Sequence, residues 1–162
     1  TADALVSALG SVLVANVSRA TAVQYDATNA AAIAAAGALA RAFVVGALSG
    51  EQVREALDPA ISVSAARAFA ASLANSTRAA PGGVGSVVLP LSVFDGQDGA
   101  AIDGGVDVLM YKFARNVHSD DQAQETLQTD LLSVTLASVS GAAPLTIEGL
   151  AAPIVLAIPL AA

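Results

Sequence analysis

Ala80-Pro81-Gly82-Gly83-Val84-Gly85 divides this chain. Before it, alanine-rich sequence carries its larger apolar residues at helical spacing. After it come short β-type runs broken by Gly, Pro and Asp. Helices in one half, followed by strands with no helices between them, predict an α+β fold with antiparallel pairing. The expected organisation is a helical subdomain over 1–80, a joint at 81–85, and an antiparallel β-sandwich subdomain over 86–162, thin and open to continuation. The joint is expected to be a close interface, because neither half has the bulky side chains for an independent core.

In the first half, Leu5, Leu9, Val12 and Leu13 recur at helical spacing after a start signal at Thr1 or Asp3, with Gly10 as a weak point and an end near Asn16-Val17-Ser18. A second helix is expected from Thr28 to Leu48, driven by alanine propensity. Ser49-Gly50-Glu51-Gln52 has the form of a capping box before a short helix with Val53, Ala56 and Leu57 on one face, stopped by Asp58-Pro59. A last helix is expected from Ser62 or Ser64 to Arg78, with Phe69 and Leu73 facing inward and Arg67 and Arg78 on the solvated side.

In the second half, Ser86 to Phe94 reads as a strand with a bend or edge at Pro90. Asp95 to Gly105 reads as a turn-rich loop. Val106 to Ala114 is the clearest strand, with Val106, Val108 and Met110 on one face and Leu109, Tyr111 and Phe113 on the other. Asn116 to Thr129 is polar, with a helical turn at Gln122 to Leu127. Leu131 to Val139 carries Leu132, Val134 and Leu136 on one face, and Ser140-Gly141 is a turn signal. Leu145-Thr146-Ile147 and Pro153 to Leu160 complete five candidate strands.

Composition narrows the function classes. The chain of 162 residues is 55% apolar, yet aromatics are 4% and Trp is absent, so a core must be built from Leu, Val, Ile and Ala. The net charge of −7 and a single lysine, Lys112, disfavour nucleic acid and anionic membrane surfaces. Without cysteine there is no disulfide framework and no thiolate metal site. A start at Thr1 reads as a processed chain or a piece of a longer one. The apolar stretch Asn29 to Leu48 contains Arg41. A central Arg costs roughly 2.5–3.5 kcal/mol on insertion scales, so the stretch reads as a soluble helix. The run from Gly149 to Ala162 is too short to span a bilayer and is interrupted by Pro153 and Pro159.

No catalytic set emerges. The one histidine, His118, lies beside Ser119, Asp120 and Asp121 in a polar loop, but sequence neighbours do not make a triad. Asp95, Asp98 and Asp103 form a glycine-rich acidic loop without the ligand spacing of an EF-hand; Asp120, Asp121 and Glu125 would add ligands only if the fold gathered them. Gly82-Gly83-Val84-Gly85-Ser86 lacks the Lys-Ser/Thr ending of a phosphate loop and precedes a strand. No catalytic residue, metal or cofactor is therefore assigned. Asn16-Val17-Ser18 and Asn75-Ser76-Thr77 are permitted glycosylation sequons, and Asn75 is expected near a helix end, off the Phe69 and Leu73 face.

The ordered pattern is an alanine-rich helical half, Ser86 to Phe94 around Leu89-Pro90, Val106 to Phe113, Leu131 to Val139, and Leu150-Ala151-Ala152-Pro153-Ile154-Val155-Leu156-Ala157-Ile158-Pro159-Leu160. It resembles the GAIN domain of adhesion-type receptors and polycystin-1-like proteins. That family's self-cleaving segment, with its paired Cys and Trp and a His-Leu-Thr/Ser step, has no counterpart here, so no catalytic residue carries over. The resemblance implies a non-enzymatic structural, adhesion or stalk domain of a larger cell-surface glycoprotein. Its partners would be other extracellular domains of the same protein or a surface assembly, and it would meet the membrane only through parts outside this chain. The alternatives are a ligand-, glycan- or Ca²⁺-binding module using the 95–105 loop, a subunit of an extracellular filament, and, last, a hydrolase using His118.

Overall fold

Two helices come first, α1 (Ala2–Ala15) and α2 (Ala22–Val44), in the computed structural model, which describes residues 1–15, 22–114, 130–139, 144–148 and 150–158. Strands β1 (Arg54–Leu57) and β2 (Ile61–Ala68) follow, then the single turn α3 (Ala70–Leu73) and β3 (Ser76–Ala79). Next come β4 (Ser86–Leu89), the turn α4 (Gly99–Ile102), β5 (Val106–Phe113), β6 (Leu131–Ser138) and β7 (Val155–Ala157). The strands make a four-stranded sheet in the order β1-β2-β5-β6 and a three-stranded sheet in the order β3-β4-β7. All the pairings between these strands are antiparallel, and the fold is α+β.

The larger sheet is covered on both faces, and β5 shows how. Leu109, Tyr111 and Phe113 join Ile61, Val63 and Ala65 of β2 in a core shared with the helices. Val106, Val108 and Met110 point the other way, into a second core with Val87 and Leu89 of β4 and with Leu73 and Val93. Leu136 and Val134 of β6 belong to that second core. The face assignments expected for β5 and β6 therefore hold, because alternation along a strand is fixed by the pleat.

α2 packs a stripe of Ala32, Ala36, Ala40 and Val44, spaced one turn apart, in the helix-side core. Alanine there lets the helix backbone come close to the sheet. By length and composition alone the window Ala27–Val44 would also span a bilayer, with a mean hydropathy of 1.3. α1 adds Val6 and Leu13, both fully buried. Gly10 has a reason to lack a side chain: a Cβ there would collide with the carboxylate of Asp58. Asp58 itself turns the β1–β2 hairpin, accepting from the Ala60 amide at 2.9 Å while the Ser62 hydroxyl donates to its carbonyl at 3.1 Å.

Several expectations are corrected, among them the strand at Leu145-Thr146-Ile147, where only an isolated bridge from Pro144 to Ala137 forms. The short helix after Gly50 and the helix from Ser62 or Ser64 to Arg78 are instead β1, β2, one helical turn and β3. β2 is buried on both faces, so small residues serve on both and no amphipathic alternation marks it. The Ser49–Gln52 motif does not open a helix: Gly50 has φ +92° and its amide donates to the Arg67 carbonyl at 2.9 Å, so it belongs to the turn that leaves α2. The stretch 81–85 joins no unlike halves. Pro81–Gly83 is a turn of 3-10 helix in the β3–β4 hairpin, where Gly82, Gly83 and Gly85 take the positive φ that favours glycine. The shift from helix to strand falls between Val44 and Arg54. The strand expected over 86–94 stops at Leu89, since Pro90 leads into a 3-10 turn, Leu91–Phe94.

Tyr111 is 8% exposed, and burial pushes its hydroxyl pKa above the ordinary 10.0, with Arg41 opposing the rise. The folded chain thus holds this proton more tightly than the unfolded chain does. Its contribution is full below the unfolded pKa and is lost as pH rises through the folded one. Wild-type stability should fall faster than that of Tyr111→Phe between about pH 9 and 12. Urea midpoints measured across that window check it.

Candidate functional site

The most tightly paired polar group joins the sheet to the end of α2. Arg67 and Asp107 are register partners on β2 and β5. Arg67 Nε donates to Asp107 Oδ1 at 2.7 Å and Nη2 to Oδ2 at 3.1 Å, while Nη1 donates to the Ala47 carbonyl at 2.8 Å. The bond to Asp107 holds the Arg67 pKa above its ordinary value. Arg67, expected on a solvated face, is instead one half of a bidentate pair with its side chain 16% exposed. The Ser49 hydroxyl adds a bond to the Gly104 carbonyl at 3.1 Å. Gly105, with φ +107°, lies against Ser49 and the Ala68 carbonyl, leaving no room for a Cβ. These bonds fasten the turn after α2 to β2 and to the segment before β5.

The acidic loop does not converge. Asp95, Asp98 and Asp103 are exposed, with α4 interposed between Asp98 and Asp103. Among the described residues no three of His, Cys, Asp or Glu are grouped to hold a metal ion. The loop is tied down by Gln97, whose Nε2 donates to the Thr146 carbonyl at 2.6 Å. Asn16, His118, Asp120, Asp121, Glu125, the helical turn at 122–127 and the Ser140-Gly141 turn lie outside the described residues.

Two concave surfaces stand out among the described residues. The larger, about 440 Å³, is lined by Leu89, Val134, Leu136, Leu145, Ile154 and Leu156 among others. It runs between β6, an edge of the larger sheet, and β7, an edge of the smaller one. β7 is exposed throughout, with Val155 at 48% and Leu156 at 46%. Residues 144–148 lie at its rim, Leu145 donating its amide to the Leu136 carbonyl at 2.8 Å. The smaller, about 190 Å³, is lined by Glu55, Thr77, Arg78 and Met110 among others. Arg78 donates from Nη2 to the Ser72 carbonyl at 3.4 Å, and its buried Nε has no partner among the described residues. Sequence reading missed the groove, because its walls come from strands far apart in the chain. The one signal for it was Pro153 to Leu160, apolar on both faces of a strand.

Asn75 is exposed at the turn between α3 and β3, with φ +55°. Searches of protein-family models, of curated proteins and of solved structures find no match to this chain.

Proposed function

We propose that this chain is a non-enzymatic structural or adhesion domain of an extracellular surface glycoprotein, organised like a GAIN domain and working by contact with neighbouring protein domains. The observation that carries the reading is the apolar groove beside β7, an edge of the smaller sheet among the described residues. Apolar concavity next to a strand that is an edge among the described residues suits docking of an extended protein segment, where main-chain bonds give affinity and side-chain pockets give register. Its walls are Leu, Ile, Val, Pro and one Thr, with no titratable side chain, so they offer apolar grip. The bidentate Arg67–Asp107 pair is used within the scaffold. The order of helices before antiparallel sheets agrees with the GAIN arrangement, and the two sequons agree with a secreted route. An antibody raised against the folded chain should stain intact, unpermeabilised cells that make the parent protein. Staining that appears only after permeabilisation would remove the extracellular reading.

A further inference from the structure

We infer that Asn75 is an N-glycan acceptor, placed so that the sugar stands over the β3 edge, on the side of the sheet order away from β7. The inference deepens the extracellular reading and rests on it for its setting. Among the described residues Asn75 is the one non-glycine with positive φ, a conformation that asparagine tolerates better than most side chains. It is exposed, belongs to neither core, and heads Asn75-Ser76-Thr77. The neighbouring hydroxyls are divided. Ser76 Oγ donates to the Leu73 carbonyl at 2.6 Å, which holds the turn, while Thr77, the hydroxyl at the sequon's third position, is exposed. The covalent step joins Asn75 Nδ2 to C1 of an oligosaccharide carried on a lipid pyrophosphate. The C1–O bond breaks, the pyrophosphate leaves with its electron pair, and the amide gives up one proton. In the strand order β3-β4-β7, Asn75 starts the edge opposite β7. Two strand spacings, about 10 Å, separate those edges. A bulky sugar at β3 blunts that edge against strand addition.

The full chain carrying Asn16→Gln, a secretion signal and a C-terminal control sequon would be made in eukaryotic cells and mapped by glycopeptide mass. Asn75 should carry one oligosaccharide, removable by peptide N-glycosidase with conversion of Asn75 to Asp. Asn75→Gln and Thr77→Ala should each abolish it, and Ser76→Ala should keep it. Bare Asn75 in secreted, folded chain whose control sequon is occupied would overturn the inference. Because secretion is imposed in this experiment, that failure is distinct from a failure of the surface-staining test.

Discussion

Asp107→Ala should lower the unfolding free energy by about 3–5 kcal/mol, the range for removing one partner of a buried ion pair. The Asp107 side chain is 8% exposed and Arg67's is 16%, so solvent offers little relief to the guanidinium left behind. Arg67 would keep one neutral partner, the Ala47 carbonyl. The double variant Arg67→Met, Asp107→Leu should lose much less, because an apolar pair of similar volume carries no unpaired charge. The comparison needs three urea titrations under one buffer. A loss from Asp107→Ala below about 1 kcal/mol would show that the pair behaves as a surface contact. Local effect should accompany the global one. Arg67 holds the turn after α2, so amides from Val45 to Gly50 should exchange faster in Asp107→Ala than in wild type.

This pair also shows why half the fold was hard to read. Arg67 and Asp107 lie forty positions apart and meet only because β2 and β5 pair in register. In sequence, Arg67 stands in an alanine run whose intrinsic preference is helix. Tertiary context wins there: β2 is held between α2 on one face and the second core on the other, and small residues fit both contacts. The usable signal was local. Asp58-Pro59-Ala60 between two short runs is a hairpin turn as readily as a helix stop, and Ile61 and Val63 are β-branched at strand spacing. By contrast β5 and β6 were legible, since each is a strand-length run of large apolar residues bounded by turn or polar sequence. The glycine-rich stretch reads as a joint between subdomains and is a hairpin turn instead, because a hairpin and a linker ask for the same residues.

The groove was less legible than the fold. Its walls draw on β4, β6, β7 and the segment around Leu145, which no single sequence window contains. An apolar final strand could only be read as core until the sheet order placed β7 at an edge. Asn75 was legible, because a sequon is a local motif, although its setting changed from a helix end to the turn before β3.

Two phenylalanines separate the structure from the helical reading by experiment. Phe113→Ala should cost about 3–5 kcal/mol, as deletion of a fully buried aromatic side chain does. Phe113 is 1% exposed, stands beside Ile61 and Leu131 across the strands, and faces the core shared with the helices. The alanines of that core, among them Ala32, Ala36 and Ala40 of α2, are too short to fill the space. Phe69→Ala should change stability by no more than about 0.5 kcal/mol, since Phe69 is 57% exposed where β2 passes into α3. A helix over 62–78 would turn Phe69 inward with Leu73 and make both expensive to remove. In the structure Leu73 alone of that pair is buried, at 0% exposure. Urea midpoints for Phe113→Ala, Phe69→Ala and Leu73→Ala therefore have a fixed order, with large losses at 113 and 73 and almost none at 69. A loss at Phe69 matching that at Leu73 would contradict the strand assignment of β2 and the whole β1-β2-β5-β6 sheet with it.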